Sequence, residues 1–514
     1  MKATELYDNK LKQKSNGAFY TPLPYVKLIT EYLLEYIKEL NTDKYIIIDR
    51  AAGSGNLFKC FPDNVLNKCW LNSIEEFEVN EIKDYFKDKL LGVSQYDALS
   101  FEVIPELKEY IDNEEYTIIM LENPPFSEVG ADNIKNEKRD SSFKDSLICK
   151  NMKNEIKGKS TNDICNLFVW SCFKYYLRKE TDSYFLIAPI KYWKSQHIIS
   201  KEPYSGFITN RKHYGATEAG LPFIQWLNKD SNIECFNLDA IDIDKNDNII
   251  NCGYLDIKKA KTLMSKAYDR RKFDDDTEDG ILCEANGLEF VNNGRKIRTR
   301  CIYDDNIIGY LYLNSFSVSQ QSVGLTRGTK FDGHGFVLRK DNYLNFLPFF
   351  CAGLAYETFS WYEKGLICKT YDGNGSYLND NEFIKKCFIY TCLSFKNKCR
   401  SLNGSDGRYY RNELCFDVGT IASKDLLKYE LNDYEKDMIE DYYKILEFIK
   451  TTDEYKEEYK YGLFQIREEI NIKDDNKKLK YPNLDKMLKD IKKKIDTYYT
   501  DYIVNDLFKY ELLK

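Results

Sequence analysis

Apolar positions along the first 200 residues follow two alternating patterns. Spacing of three and four residues predicts helices over 24–40, 82–91 and 166–177. Short, almost wholly apolar runs predict buried strands over 45–49, 116–121 and 184–190, with a weaker strand over 70–79. Strands of this kind that alternate with helices are typical of a parallel sheet covered on both faces. We therefore expect an α/β fold for this part of the chain.

The pattern changes further along the chain. The alternation of helix and strand patterns stops between residues 133 and 159. This stretch contains eight lysines and arginines and four acids, a composition that favours a solvated loop. An acidic, polar stretch at Arg271–Gly280 is typical of a linker. Turn-rich sequence with many aromatics follows, and helical spacing returns from residue 424. We expect a first domain over 1–260, a mixed α+β domain over 261–420 and a helical region over 421–514 that packs on it.

Length and charge limit the class of protein. The chain has 514 residues, too many for one ordinary domain core. Its 75 Lys+Arg and 82 Asp+Glu give a formal net charge of −7. An acidic balance argues against a protein that coats nucleic acid without sequence preference, although it leaves room for local basic grooves.

Cysteine and histidine usage indicates no metal site. The 15 cysteines include no CxxC pair, and there are 3 histidines. The amino-terminal residues have no apolar signal core, and the longest apolar stretch covers 11 residues, Phe346–Tyr356, where a membrane helix needs about 20. We expect a cytoplasmic protein of bacterial or phage origin, with no membrane partner.

Two segments suggest a binding site for a small molecule. The sequence NGAFYTP, Asn16–Pro22, stands directly before the first predicted helix. The sequence IIIDRAAGSGNL, Ile46–Leu57, is a strand that ends in Asp49 and turns through Gly53 and Gly55. Glycines in such a turn let the backbone approach a ligand closely. The glycine pattern alone is weak evidence, because many nucleotide-binding folds and plain tight turns share it.

The sequence LENPPF, Leu121–Phe126, is the sharpest signal and follows a buried strand. Pro124 and Pro125 have no backbone N–H and make the turn rigid, so they leave carbonyl acceptors available. Asn123 adds a side-chain acceptor and Phe126 a flat apolar face. Such a turn can hold a planar amine, and the alternative is an ordinary proline turn at the end of a strand.

In order and spacing these three segments resemble the N6-adenine DNA methyltransferases, and specifically their γ arrangement, in which target recognition follows catalysis. The resemblance covers about residues 14–230 and implies a Rossmann-like methyltransferase domain, S-adenosylmethionine as cofactor and double-stranded DNA as substrate. It implies that the Asn123 side chain and the Pro124 carbonyl accept the two amino hydrogen bonds of a flipped adenine, with Phe126 stacked on the base. Pro125 completes this catalytic motif.

The resemblance also implies a set of cofactor-binding residues. Arg50 and Ala52 depart from the family pattern, which usually has Pro after the acid and often Cys before the first Gly. Glu78 corresponds to the acid that binds the ribose, with Glu76 two positions away as its competitor. Asp97 corresponds to the acid at the adenine amino group, and Asp163 to the acid bordering the pocket, where it also fits a helix N-cap. The complete set is Phe19, Tyr20, Thr21, Pro22, Asp49, Ala51, Gly53, Gly55, Glu78, Asp97, Asn123 and Asp163.

Basic loops provide candidate DNA contacts in an acidic chain. Phosphate binding needs local positive charge, and arginine can read guanine edges. Tyr214 is the candidate for a second aromatic that stacks on the flipped base. The candidates in the later part of the chain lie in three basic, Gly-bearing loops, and comprise Arg295, Lys296, Arg298, Arg300, Arg327, Lys330, Arg408 and Arg411. A solvated surface is the alternative for each loop.

Other functions remain open at the level of sequence. Cytosine N4, guanine N2 in RNA and protein glutamine are methylated at related turns, and a degenerate methyltransferase fold could serve only to bind DNA. A modification subunit of a restriction system is a further alternative, although such subunits usually carry a long helical region before the first motif and only 16 residues precede Gly17 here. A separate restriction endonuclease is a possible partner, and we expect a monomer.

Overall fold

The computed structural model describes residues 20–126, 142–158, 160–264, 335–399 and 412–514, with short segments between 281 and 326 and at 402–403 and 409–410. The chain divides into two compact units. Unit 1 comprises Met1–Lys259 and Ser360–Leu366. Unit 2 comprises Ala260–Phe359 and Ile367–Lys514.

A nine-stranded sheet forms the centre of unit 1. Its strands are β1 Tyr45–Asp49, β2 Cys69–Ser73, β3 Gly92–Gln95, β4 Thr117–Glu122, β5 Ser183–Ile187, β6 Lys201–Asn210, β7 Gly220–Asp230, β8 Cys235–Ile243 and β9 Ile249–Lys258. The order across the sheet is β3-β2-β1-β4-β5-β7-β6-β8-β9. Strands β3, β2, β1, β4 and β5 are parallel, whereas β7 runs antiparallel to both of its neighbours.

Helices cover this sheet. They are α1 Leu23–Glu39, α2 Asp63–Leu66, α3 Glu76–Phe86, α4 Lys108–Asp112, α5 Leu147–Glu155, α6 Ile164–Ser171 and α7 Lys191–Lys194. Side chains of one sheet face, such as Ile46 and Ile48 of β1, pack in one hydrophobic cluster, and Ile47 between them packs in another. Strands buried on both faces read as continuous apolar runs. The order 3-2-1-4-5 is that of a doubly wound sheet, which confirms the predicted Rossmann-like α/β fold.

Strand β2 is shorter than the sequence predicts. We expected a strand over 70–79, but β2 ends at Ser73 and α3 begins at Glu76. The buried residues Val79, Ile82 and Phe86 have the spacing of one helix face, and acids in the first turn favour the start of a helix. Part of the basic stretch predicted as a loop also forms a helix, α5, which buries Ile148, Cys149 and Met152.

Unit 2 is built around helices with small sheets. The helices are α8 Tyr343–Leu354, α9 Asn381–Leu393, α10 Ile421–Leu426, α11 Asp433–Ile449, α12 Leu463–Gln465, α13 Pro482–Tyr502 and α14 Val504–Lys509. The strands are β10 Ile281–Leu282, β11 Val291–Asn292, β12 Arg295–Lys296, β13 Ile302–Tyr303, β14 Ile307–Leu313, β15 Val323–Thr326, β16 Gly335–Arg339, β17 Leu402–Asn403 and β18 Tyr409–Tyr410. Strands β15, β14 and β16 pair in that order as an antiparallel sheet.

The second and third predicted parts share one hydrophobic core. Phe350 of α8 and Phe388 of α9 belong to the same buried cluster as Tyr442 of α11 and Ile491 of α13. The Tyr499 hydroxyl of α13 donates a 2.6 Å hydrogen bond to the Cys351 carbonyl of α8. Residues 421–514 are therefore part of unit 2. Within the described residues, no helix has the length and apolar character needed to cross a membrane.

Candidate functional site

The carboxyl ends of β1 and β4 bring two of the predicted motifs together. The two strands are parallel neighbours, with Ile48 paired opposite Met120. Strand β1 ends at Asp49 and β4 ends at Glu122, directly before Asn123. Ligands of open α/β sheets bind outside the carboxyl ends of the strands. The glycine turn and the NPPF turn therefore lie at the same edge, where this fold binds its ligands.

Thr21 joins the third motif to the other two. Its side chain is only 2 % exposed, and its hydroxyl accepts a 3.2 Å hydrogen bond from Asn123 Nδ2. The backbone carbonyl of Thr21 accepts a longer bond, 3.4 Å, from Asn56 Nδ2, which follows the glycine turn. Pro22 is the N-cap of α1 with an extended backbone, and Pro24 stands in the first turn, where its missing N–H leaves no helical hydrogen bond unmade. Segments that lie 35 and 102 residues from Thr21 in sequence thus meet at this one residue.

The glycine turn is closely packed. Gly53 and Gly55 both have positive φ, 54° and 72°. A Cβ on Gly55 would lie 2.8 Å from the Phe86 ring, so only glycine fits there. A Cβ on Gly53 would contact the Tyr20 ring at 3.4 Å and Glu78 Oε1 at 3.6 Å. Gly53 therefore lies between two residues predicted to bind the cofactor.

Glu78 is the acid that the structure places at this turn. It is 6 % exposed and accepts hydrogen bonds from the Ser73 hydroxyl and, at 3.3 Å, from the Tyr20 hydroxyl. Glu76, its competitor, is exposed on α3. Burial raises the pKa of Glu78 above its usual value, and the bonds from Ser73 and Tyr20 offset part of that rise.

Asp49 is a second buried acid at the edge. It is 2 % exposed, and its Oδ1 accepts a 2.9 Å hydrogen bond from the backbone N–H of Ala51. Burial raises the pKa of Asp49 well above its usual range, and the neighbouring Glu122 carboxylate raises it further. Buried carboxylates at one edge suit a ligand that brings positive charge and hydroxyl groups.

Asp97 and Asp163 act as helix caps in the structure. Asp97 is exposed, and its side chain accepts from the Leu99 backbone N–H and the Ser100 hydroxyl. Asp163 is the N-cap of α6, accepts from the Cys165 N–H and lies 2.5 Å from Lys191 Nζ. The predicted N-cap role of Asp163 is confirmed, while cofactor binding by either acid stays a prediction.

The NPPF turn follows β4 at the same edge. Pro124 is buried, whereas Asn123, Pro125 and Phe126 are half-buried. Phe126 packs against the hydrophobic clusters of both sheet faces. The amide of Asn123 is oriented by its bond to Thr21, and the rigid turn fixes the backbone carbonyls that follow.

Arg50 and Glu122 form an ion pair that the sequence reasoning missed. Arg50 Nε lies 2.6 Å from Glu122 Oε1, and Nη2 lies 2.9 Å from Oε2. The sequence showed Arg50 only as a departure from the family pattern. A signal was present, since charged residues stand at the ends of two apolar strands that are neighbours in this fold.

The structure places Tyr214, the predicted second stacking aromatic, in the core of unit 1. It is 4 % exposed, in the turn between β6 and β7, and its ring stacks on Tyr25 with centroids 6.0 Å apart. Desolvation by this burial raises the pKa of the Tyr214 hydroxyl above its usual range. A ring that is 4 % exposed presents little surface to a base, and the stacking role of Tyr214 stays a prediction.

Most predicted DNA contacts lie outside the described residues. Of Arg295 and Lys296 only the backbone is described, as strand β12 paired with β11. The predicted residues outside the described ranges are Phe19, Arg298, Arg300, Arg327, Lys330, Arg408 and Arg411. Their roles stay predictions. Over the described ranges, no group of three or more His, Cys, Asp or Glu side chains is arranged to hold a metal ion.

Comparison with solved structures finds distant likenesses among restriction–modification proteins. The type IIL restriction-modification enzyme MmeI, solved in complex with DNA, is 12 % identical over 98 % of this chain and 78 % of its own, with a TM-score of 0.41. A type I restriction-modification methyltransferase subunit from Streptococcus thermophilus is 16 % identical over 44 % of this chain and 48 % of its own, with a TM-score of 0.29.

The type IIG restriction endonuclease BpuSI is 17 % identical over 47 % of this chain, with a TM-score of 0.32. This chain spans 29 % of the BpuSI chain and 48 % of the Streptococcus thermophilus subunit. No protein-family model and no curated protein sequence matches the chain. At these identities and TM-scores the comparisons assign no activity, and the functional argument depends on the residues of the site.

Proposed function

We propose that this protein is a DNA methyltransferase that transfers a methyl group from S-adenosylmethionine to N6 of an adenine flipped out of duplex DNA. The observation that carries the proposal is the Asn123–Thr21 hydrogen bond at the edge where Asp49 and Glu122 end their strands. It joins the segment YTP to the NPPF turn beside the glycine turn. These are the three segments whose order resembles that enzyme class.

The residues at this edge fit S-adenosylmethionine. Gly53 presents no side chain where the turn borders the Tyr20 ring and the buried Glu78 carboxylate. Glu78 suits a pair of ribose hydroxyls, and Asp49 suits a positive charge. When bound, this cofactor supplies a methyl group on a positively charged sulfur, which is open to attack by an amine.

The NPPF turn would hold the amine that attacks. The Asn123 side-chain oxygen and the Pro124 carbonyl would accept the two amino hydrogen bonds of adenine, which favours a more pyramidal nitrogen with a localised lone pair. Acceptors that are fixed before the reaction need no reorganisation during it. Extruding the base costs a few kcal/mol, and stacking on Phe126 would return about 1–3 kcal/mol of that cost.

Expression in a host that lacks DNA methylation tests the proposal. Single-molecule sequencing of that host's genome is expected to find N6-methyladenine at one repeated motif. The variant Asn123→Ala is expected to abolish the modification, while the purified variant still binds S-adenosylhomocysteine and keeps its unfolding temperature. Asn80→Ala, at an exposed position of α3, is the matched control and is expected to modify DNA like the wild type.

Three results would contradict the proposal. Methylcytosine at a repeated motif would assign the turn to another base. No modified base in DNA, combined with cofactor binding, would point to RNA or protein as substrate. Full methylation by Asn123→Ala would remove the NPPF turn from the mechanism.

A further inference from the structure

One carboxylate ties the glycine turn to the NPPF turn. Glu122 is fully buried and Arg50 is 2 % exposed. The guanidinium binds both oxygens of Glu122, at 2.6 and 2.9 Å, in the two-pronged geometry that fixes orientation as well as distance. The backbone N–H of Arg50 also donates to Glu122 Oε1, at 3.2 Å. Three hydrogen bonds thus connect the residue after Asp49 to the residue before Asn123.

Two further donors of the guanidinium bind α6. Arg50 Nη1 donates to the Ser171 hydroxyl and Nη2 to the Phe168 carbonyl, each at 2.8 Å, and both acceptors belong to α6. The charged group lies over the ring of Tyr176, 4.7 Å from its centroid. On the other side, the Tyr184 hydroxyl of β5 donates to Glu122 Oε2. The pair is therefore held in one orientation from both β5 and α6.

Stability alone does not account for this arrangement. Taking two charges out of water costs so much that apolar side chains of similar volume often stabilise a core equally well. Apolar contacts are not directional, so an apolar pair would not fix the angle between the two turns as the two-pronged ion pair does. Arg50 and Glu122 are each one peptide bond from a residue of the proposed site, Asp49 and Asn123 respectively.

We propose that Arg50 and Glu122 are positioning residues, which hold the NPPF turn at the distance and angle from the glycine turn that methyl transfer requires. The inference rests on the proposed function. Its consequence is that loss of the pair lowers kcat and leaves cofactor affinity nearly unchanged. A misplacement of about 1 Å at a reacting group can cost about 100-fold in rate.

The test replaces both charges together, as Arg50→Met/Glu122→Leu. Removing one partner alone would leave a buried charge and endanger folding. The double variant is expected to unfold near the wild-type temperature and to bind S-adenosylhomocysteine with close to wild-type affinity by calorimetry. Its kcat for DNA methylation is expected to fall by about 100-fold.

The protein offers a matched control on the same two strands. Lys44 directly precedes β1 and Glu115 stands just before β4, and their side chains pair at 2.7 Å while 60 % and 65 % exposed. The variant Lys44→Met/Glu115→Leu likewise removes one basic and one acidic side chain, at the amino ends of the strands. It is expected to keep the wild-type kcat, because an exposed pair contributes little and lies away from the site.

A second variant and a second measurement cover the case in which the double variant does not fold. Arg50→Lys keeps the charge but cannot bind both oxygens of Glu122, and it is expected to lower kcat without changing the KM for the cofactor. Faster hydrogen exchange in the peptide Thr117–Phe126 is expected for each folded variant and needs no activity. A folded variant with wild-type kcat and wild-type exchange would overturn the inference, whereas a wild-type protein that methylates no DNA would overturn the proposed function.

Discussion

Glu76 and Glu78 have the same side chain but different surroundings. They lie two positions apart on α3, one exposed and the other 6 % exposed beside Tyr20 and Gly53. Chemically the two residues are the same, so the sequence left both open as the ribose-binding acid. The helical twist at the start of α3 turns only Glu78 toward the glycine turn.

The variant Glu78→Gln is expected to weaken S-adenosylhomocysteine binding by about 10- to 100-fold, since a hydrogen bond to a charged group is worth about 1.5–3 kcal/mol. Glu76→Gln is its matched control and is expected to bind like the wild type. Isothermal titration calorimetry of the three proteins at pH 8 measures the difference. Equal affinities for all three would remove Glu78 from the cofactor site.

The pH dependence of Glu78 gives a further readout of the same variant. The raised pKa of Glu78 means that its carboxyl group holds a proton more tightly in the folded state than in the unfolded state. Ionisation of Glu78 therefore costs folding free energy, and its contribution to stability decreases as the pH rises to that raised pKa. Glu78→Gln should therefore lose no stability at pH 7. Wild-type cofactor affinity is expected to fall as pH drops through the raised pKa, and the variant is expected to lack this fall.

At the scale of a single element, the amino end of helix α11 combines a helix cap with a buried ion pair. It begins with a capping box, in which Asn432 Oδ1 accepts from the Glu435 N–H and Glu435 Oε2 accepts from the Asn432 N–H. Glu435 is fully buried and also pairs with Lys385 of α9 at 3.1 Å. The cap therefore fixes both the start of α11 and a buried contact inside unit 2.

The variant Asn432→Ala is expected to destabilise unit 2 by about 1 kcal/mol, the usual cost of losing an N-cap. Asn432→Asp keeps a capping oxygen and is expected to stay near the wild type. All five tryptophans lie in unit 1, so circular dichroism at 222 nm, and not tryptophan fluorescence, is the measurement that follows α11. An unchanged unfolding midpoint for Asn432→Ala would show that the capping box contributes nothing to stability.

At the scale of the whole molecule, the net charge of −7 requires that any DNA binding depend on local basic loops. The proposed methyl transfer takes place in unit 1, whereas the loops proposed to contact DNA lie in unit 2. Helix α13 is also rich in lysine, but it carries acids on the same surface and buries its apolar face in the unit 2 core. We therefore expect the arginine loops, and not α13, to bind phosphate.

Neutralising Arg295, Arg298 and Arg300 to glutamine together is expected to weaken DNA binding and leave cofactor affinity unchanged. Each lost phosphate contact lowers the slope of log affinity against log salt by about 0.9, so the slope should fall by up to about 3. The matched control is Lys486→Gln/Lys489→Gln/Lys493→Gln, at exposed positions of α13. Fluorescence anisotropy with duplex DNA over a salt series measures both variants, and an unchanged slope for the arginine variant would place the DNA contacts elsewhere.

The sequence by itself determined the parallel sheet and the three motifs of the candidate site. Strands such as β1 and β4 are recognisable because burial on both faces makes every position apolar, a property of the local sequence. The turns after them carry glycine and proline, whose backbone limits are also local. The sequence did not predict strands β6, β8 and β9, and it predicted the end of β2 too far along the chain. Over a few residues, the spacing of apolar positions in a partly exposed strand resembles that in a helix.

Only the tertiary structure decided which residues surround the site. The bond from Asn123 to Thr21 spans 102 positions and the pair Arg50–Glu122 spans 72, distances at which no local pattern operates. The same holds for Tyr214, whose aromatic ring suited a base-stacking role in the sequence but is held against Tyr25 in the core. Burial and partners depend on how strands and helices pack, so the choice of Glu78 over Glu76 and the role of Arg50 emerged only from the folded chain.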